Sequence, residues 1–302
     1  MIPTERLKGI EAFVQAAQTG SFTAAAEKLN LTNSAIGKSV GRLEARLGRK
    51  LFERTTRRLV LTDAGAAFHA VCVRVLADLA DAEAILAAGD TELAGRLRID
   101  VPVAFGHMQV MPLILNLAQR FPKLKPEISF TDRFVDIIED RIDIAVRISA
   151  PQAWPDALGS RYLGRERLII CAAPDFIERH GLPTSGDDIS RYDSVIYGRS
   201  DGSTIPWQLV RQDGQVESRA MNGRILVGSA EAQLAAVRAG FGIAQLATWL
   251  AHDDLAAGRL VEVFPDMATD GLPLHLIWPR SRHLSAKVDA ALAALSEGLR
   301  IR

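Results

Sequence analysis

Only two cysteines occur among the 302 residues, Cys72 and Cys171, and they lie 99 positions apart. No CxxC pair or disulfide framework can be built from them, which leaves out zinc ribbons, redox dithiols and stapled secreted domains. Both are expected as buried thiols. The six histidines (69, 107, 180, 252, 275 and 283) are scattered without HExxH or paired spacing, so no metal and no cofactor is argued. No apolar run reaches the roughly 18 residues of a membrane span, and residues 1–6 lead into an amphipathic helix, not a signal peptide. The expectation is a reducing cytoplasm and no membrane partner. Net charge is lacking too, since 36 Lys and Arg balance 36 Asp and Glu. The balance is uneven along the chain: residues 1–62 carry 11 Lys or Arg against 5 Asp or Glu, a surplus that the remainder offsets. Such asymmetry suits a nucleic-acid module followed by a neutral or acidic module with another task. The length, with 48% hydrophobic residues, allows two or three compact units with a sizeable core.

What is present is organised around residues 20–65. Ile36, Val40, Leu43 and Leu47 recur at helical spacing and form one narrow apolar stripe, the expected core side. The opposite side carries Ser34, Gly37, Lys38, Gly41 and Ala45, with Arg42 on its flank. Two glycines inside a short helix each cost about 1 kcal/mol against alanine. Either the helix tolerates them or something approaches its backbone closely, and a DNA groove is the leading candidate. Ser21 can cap a helix over 22–29, Asn30 turns the chain, and Thr32 can cap the next helix, which together read as helix-turn-helix. Short strands at 51–54 and 59–61 flank a polar tip with Arg54, Arg57 and Arg58, a wing. Upstream, Leu7, Ile10, Phe13, Val14 and Ala17 form the apolar face of a supporting helix.

From 63 to about 88 there is no proline, and Phe68, Val71, Val75, Leu79, Ala82 and Leu86 keep three-or-four spacing. A helix of that length spans about 40 Å. Its stripe is buried more easily against a second copy than against its own small domain, so a homodimer with paired linker helices is expected. Two reading helices would then face a palindromic site.

Beyond Gly89, Asp90 and Gly95 the pattern changes to alternating strand and helix. Strands are expected at 97–101, 125–131 and 142–148, with helices at 108–121 and 134–140. A second unit starts near Arg165, with strands at 168–173, 194–197, 224–227 and 243–246 and helices at 175–180, 230–239 and 248–255. A last strand at 274–278 and helix at 285–299 return to the first unit. This argues for an α/β fold of two lobes with largely parallel sheets and a cleft between them.

The residues Gly20-Ser21-Phe22-Thr23-Ala24-Ala25-Ala26, Leu29, Ser34-Ala35-Ile36, Leu43-Glu44, Leu47-Gly48, Leu51-Phe52, Arg54, Leu61-Thr62 and Ala64-Gly65 resemble the amino-terminal signature of LysR-type transcriptional regulators. Fainter echoes of that family's effector domain are Gly164-Arg165, Ala173-Pro174, residues 239–244 and Gly258-Arg259-Leu260-Val261. The resemblance implies an all-α winged helix-turn-helix (1–62), a linker and dimerisation helix (63–90), and a two-lobed α/β periplasmic-binding-protein-like effector domain (91–302). Lobe I would hold 91–164 and 265–302, and lobe II 165–264. It further implies double-stranded DNA, a small-molecule effector and a second copy of the chain as partners; the assembly is a homodimer or, if dimers pair, a homotetramer, and RNA polymerase is a candidate further partner. Gly37 stands where the family often has serine, and Asn33 replaces a commoner glutamine, so the sequence read in the groove is expected to differ.

The expected DNA contacts are Asn33, Ser34 and Lys38 at base edges or nearby phosphates and Arg42, Arg54, Arg57 and Arg58 on the backbone, within a set completed by Ser21, Thr23, Thr32, Gly37 and Thr55. In open α/β folds ligands bind beyond the carboxyl ends of the strands. That places the effector near Val103, Ala104 and Phe105, Asp132, Arg147, Gly202 and Ser203, and Ser229. Arg147 could hold a carboxylate by two parallel bonds; the alternative is a salt bridge to Asp136, Asp140 or Asp143. Phe105 with Trp207 would line an apolar end, and a small anion with an aromatic or aliphatic body is the expected effector. Residues 198–202 spell the GxSxG of hydrolases, but a nucleophile elbow needs a helix after it and Ser203-Thr204-Ile205-Pro206 starts none. Gly240-Phe241-Gly242 follows a helix and reads as a turn, not a dinucleotide loop. The competing reading is a solute-binding or enzymatic α/β protein whose first helices only dimerise it. The leading one is a ligand-responsive transcription factor, not an enzyme.

Overall fold

The hydroxyls of Ser21 and Thr32 accept the backbone N–H of Ala24 and Ala35, and these two caps start the helices on which the first part of the chain is built. In the computed structural model the described residues are 9–54, 59–88, 93–133, 135–149, 154–181, 186–198, 201–211, 213–282 and 285–299. The chain divides into two units, Met1–Thr91 and Glu92–Arg302.

In the first unit α1 (Ile10–Thr19), α2 (Phe22–Leu29) and α3 (Asn33–Leu47) pack around Phe13. Asn30 and Gly48, at φ 52° and 64°, end α2 and α3 in the left-handed region. Ile36, Val40 and Leu43 are buried as their spacing requires. Leu47 is a correction: it lies in the last turn of α3 and is 38% exposed, past the edge of the small core. The wing strands β1 (Phe52–Arg54) and β2 (Leu59–Leu61) pair antiparallel. The Phe13 ring meets Phe52 at 5.3 Å and Phe68 at 5.7 Å. Phe68 belongs to α4 (Asp63–Ala88), the long helix, whose Cys72 is buried against this core while Val71 and Leu79 stay exposed.

The second unit begins with β3 (Gly95–Val101), α5 (Val103–Phe105), a π-helical turn (Gly106–Val110), α6 (Met111–Arg120), β4 (Leu124–Phe130) and β5 (Ile144–Ile148). It continues with β6 (Leu158–Ala172), α7 (Pro174–His180), β7 (Ser194–Tyr197), β8 (Trp207–Val210), β9 (Val216–Arg219), β10 (Gly223–Val227) and α8 (Ala230–Arg238). Last come β11 (Ala244–Ala247), α9 (Thr248–Ala256), β12 (Val261–Val263), β13 (Thr269–Pro279) and α10 (Ala286–Gly298). A seven-stranded sheet runs β11-β6-β13-β5-β3-β4, with β12 also on β6. The long strands β6 and β13 pair antiparallel from Leu158↔Pro279 to Leu168↔Thr269. They carry the chain between lobe I, which holds β3–β5, and lobe II, which holds β11, β12 and the parallel pair β7 and β10.

The sheet is mixed rather than largely parallel, because the two crossing strands must run opposite to each other; only β3 pairs parallel, with β4 and β5. The helix expected at 134–140 is a single turn over 137–140 among the described residues. Asp136 Oδ1 accepts the N–H groups of Ile138 and Glu139, and Arg141 leaves the turn at φ 56°, which stops propagation. The helix expected from 108 starts at Val103 and passes through the π-helical turn. Gly106 is required in that turn, because a Cβ there would lie 2.3 Å from Val101 Cγ2. The β8/β9 hairpin and the first half of β6 add strands beyond those the sequence pattern predicts. Among the described residues no helix is long and apolar enough to cross a membrane.

Candidate nucleic-acid interface and effector cleft

The outer side of α3 is built as its sequence requires. Ser34, Lys38, Arg42 and Ala45 are exposed, and a Cβ at Gly37 or Gly41 would meet nothing within 4 Å. Asn33 is exposed and its Nδ2 donates to Thr23 Oγ1 at 2.7 Å, which ties the start of α3 to α2. The cap hydroxyls of Ser21 and Thr32 act as acceptors toward the protein, so each keeps its own proton for a further acceptor such as a phosphate oxygen. Arg42 Nε donates to the Lys38 carbonyl at 3.4 Å. Thr55, Arg57 and Arg58, and the side chain of Arg54, lie outside the described residues.

Glu44, on the buried side of α3, positions the wing. Its Oε1 accepts the N–H of Leu51 at 2.8 Å and of Phe52 at 3.2 Å, and Lys50 Nζ lies 2.9 Å from Oε2. Burial alone would raise this carboxyl, but the Lys50 ammonium and the two backbone donors together hold it below the usual range.

In the second unit the residues beyond the strand ends come together only in part. Asp132 Oδ1 accepts the Val103 N–H at 3.0 Å, so the loop after β4 caps the helix after β3. Ser229 caps α8 through the Ala232 N–H at 3.3 Å. Gly202 sits at φ 83° and the Ser203 N–H is taken by Asp201 Oδ1 at 2.8 Å. Ala104 and Phe105 are buried, and Phe105, 1% exposed, lies edge-on to Trp249 at 5.1 Å. The expected apolar end made by Phe105 and Trp207 is therefore corrected: both rings belong to the core, where their area counts most. Arg147 is also corrected. Its guanidinium pairs with Asp100 on β3, Nη2 lying 2.6 Å from Oδ1, rather than with Asp136, Asp140 or Asp143. The Asp100 carboxylate also accepts the Ser129 hydroxyl at 2.5 Å.

Three further groups have positional roles that little in the sequence signals. His107 and Glu231 face each other across the two lobes, with His107 Nδ1 3.6 Å from Glu231 Oε1. Only the first-turn acid two residues after Ser229 was a usable signal. Glu166, on β6, accepts Trp249 Nε1–H at 2.8 Å and the Leu272 N–H at 3.3 Å, and so joins α9 to β13; burial pushes its carboxyl up despite both donors. The GxSxG segment leads into β8 and not into a helix, so no elbow forms; Arg199 and Ser200 lie outside the described residues. Gly240 and Gly242 turn the chain from α8 to β11. Among the described residues no group of three or more His, Cys, Asp or Glu could hold a metal ion.

Residues 7–66 match the family described as bacterial regulatory helix-turn-helix protein, lysR family, and residues 90–300 match the LysR substrate binding domain. The HTH-type transcriptional regulator PtxR of Pseudomonas aeruginosa is 33% identical over 97% of this chain and 93% of its own length. The uncharacterized HTH-type transcriptional regulator YhjC of Escherichia coli is 31% identical over 94% of this chain and 95% of its own. Among solved structures, CrgA of Neisseria meningitidis, a LysR-type transcriptional regulator, superposes with a TM-score of 0.60 at 26% identity, covering 96% of this chain and 98% of that one. The full-length virulence activator AphB of Vibrio cholerae shares the fold, with a TM-score of 0.64 at 23% identity over 96% of this chain and 99% of that one. A capped helix with an exposed polar and cationic side, a wing locked to it, a long helix and a two-lobed α/β domain thus lie within a chain matched along nearly its whole length, and it belongs to the LysR family of DNA-binding transcriptional regulators, which are not enzymes.

Proposed function

We propose that residues 1–62 place α3 in the major groove of double-stranded DNA, with Asn33, Ser34 and Lys38 at base edges or adjacent phosphates. Arg42, Arg54, Arg57 and Arg58 would hold the backbone on either side, with Ser21, Thr23, Thr32, Gly37 and Thr55 completing the contact set. The carrying observation is the exposed polar face of α3 above a stripe of Ile36, Val40 and Leu43 that is fully buried. Residues 63–90 pair two copies, which sets a palindromic operator; the exposed Val71 and Leu79 on α4 support this. Residues 91–302, lobe I (91–164 and 265–302) and lobe II (165–264), bind a small effector between the lobes, near Val103, Asp132, Ser203 and Ser229. Arg147 holds the lobe I wall through Asp100 instead of meeting the ligand. Effector binding changes lobe closure and thereby the spacing of the reading helices, a coupling of about 1 to 3 kcal/mol in such systems. A homotetramer would engage two operator sites, and RNA polymerase would read the outcome.

The test is a gel shift and an anisotropy titration on the DNA flanking the protein's own gene, over a salt series. Lys38→Ala weakens binding and flattens the log–log salt slope by about one unit for each phosphate contact removed. A wild-type chain that binds this DNA no better than unrelated duplex would overturn the reading.

A further inference from the structure

With Arg147 engaged by Asp100, His107 is an exposed lobe I side chain that faces lobe II. It sits in the π-helical turn of lobe I, its ring 4.3 Å from the Phe130 ring at the end of β4. Opposite it stands Glu231, in the first turn of α8 of lobe II, with Oε1 3.6 Å from His107 Nδ1. The other oxygen of that carboxylate accepts the Ser229 hydroxyl at 2.9 Å. The Glu231 carboxylate is thus hydrogen-bonded to a lobe II hydroxyl and faces a lobe I imidazole just beyond hydrogen-bond reach.

We propose that His107 and Ser229 are a carboxylate-receiving pair, that Glu231 is its built-in occupant, and that the effector is an organic anion which displaces Glu231. This rests on the reading that residues 91–302 bind a small effector, and it names that ligand's chemical class and the residue that competes with it. The two partners differ in how they are fixed. Phe130 orients the His107 ring, and Ser229 is held by its capping bond to Ala232 at 3.3 Å. Glu231 instead reaches in on a rotatable side chain that is 39% exposed and free to swing into water. A partly solvated pair of this kind is weak, which is what a displaceable occupant requires. An incoming carboxylate makes the same two contacts and adds the burial of its own body, so it outcompetes Glu231 only when the rest of the molecule fits between the lobes. The occupant therefore acts as a specificity filter: it sets a threshold that bare small anions do not pass.

The experiment is calorimetry on the full chain with acetate, benzoate and succinate and with the matching neutral amides. Glu231→Gln removes the occupant's charge, so at least one carboxylate binds it about threefold tighter than the wild type, the gain expected from losing a partly exposed pair. The amides gain nothing. His107→Ala loses about tenfold for that same carboxylate. Both side chains are substantially exposed, so neither variant endangers the fold, and circular dichroism checks this. Equal affinities in wild type and Glu231→Gln, an equal gain for the amides, or no carboxylate binding to any of the three proteins each overturns the proposal. The operator titration is run separately on the same samples, so a failure of DNA binding strikes the regulator reading alone.

Discussion

The Arg147 guanidinium lies 2.6 Å from the Asp100 carboxylate on the neighbouring parallel strand, and the two side chains are only 12% and 2% exposed. Arg147 also donates to the Asp100 and Val146 carbonyls, at 3.3 and 2.8 Å. Burying a pair costs nearly what it returns, whereas removing one partner strands the other charge in low dielectric. Arg147→Ala should lower unfolding stability by about 3 to 5 kcal/mol, and Asp100→Asn should lower it less. A double variant Asp100→Asn with Arg147→Met should recover most of the loss, because no uncompensated charge remains. Urea titrations of all three decide this; additive losses would show that the two groups are not coupled.

Glu44 gives an acid-sensitive hinge between α3 and the wing. Its folded-state carboxyl is depressed, so it contributes stability that is complete above the unfolded value near 4.3 and is lost as pH falls through the folded value. Glu44→Gln keeps an oxygen for the Leu51 and Phe52 N–H groups and gives up only the bond to Lys50, whose side chain is largely in water. It should cost about 1 kcal/mol near neutrality and weaken the acid dependence of the first unit. Glu44→Ala orphans two backbone donors and should cost about 3 kcal/mol. Thermal melts between about pH 3 and 7 separate the two.

The parts of this protein that could be read from its sequence are those set by near neighbours. Thr32 and Gly48 bound α3, and the spacing of Ile36, Val40 and Leu43 told its buried side, because caps and helical period are local. Leu47 broke the pattern because a stripe does not report where its domain ends. The partner of Arg147 is 47 positions away and follows from parallel strand pairing, whereas sequence spacing favours the nearer acids. The β8/β9 hairpin had one legible sign, Asp213-Gly214, with Gly214 at φ 78°, but its strands are four residues each and flank polar sequence. His107 and Glu231 are 124 positions apart and meet only because β6 and β13 bring the two lobes together, so no spacing rule could join them.

Gly65 is fixed by contact rather than conformation. A Cβ there would lie 2.0 Å from the Leu51 carbonyl oxygen, which accepts the Thr62 N–H at 3.0 Å. The first turn of α4 therefore packs directly on the backbone of Leu51, the residue that leads into β1. Gly65→Ala must push α4 or β1 away, and the neighbour is backbone, which cannot rotate aside. We expect a loss of more than about 2 kcal/mol and weakened operator binding, while the second unit keeps its own melting transition. Unchanged DNA affinity in this variant would mean that the wing is not held by α4.

Glu166 works in the opposite sense to Glu44. Buried on β6 between Trp249 of α9 and Leu272 of β13, it has a carboxyl raised by burial. A raised folded-state value means that the native protein holds this proton more tightly than the unfolded chain does. Its contribution is therefore fully present below the unfolded value near 4.3 and fades as pH climbs through the folded value. Glu166→Gln keeps an acceptor for the Trp249 Nε1–H, cannot ionise, and should flatten the fall in stability of the second unit across that window. Trp249→Phe leaves a Glu166 oxygen without its donor and should cost about 1 to 3 kcal/mol, with the larger loss at the higher pH, where the stranded group carries charge. Urea midpoints of the two variants from about pH 4 upward test the assignment. A Glu166→Gln slope equal to that of the wild type would place the titrating group elsewhere.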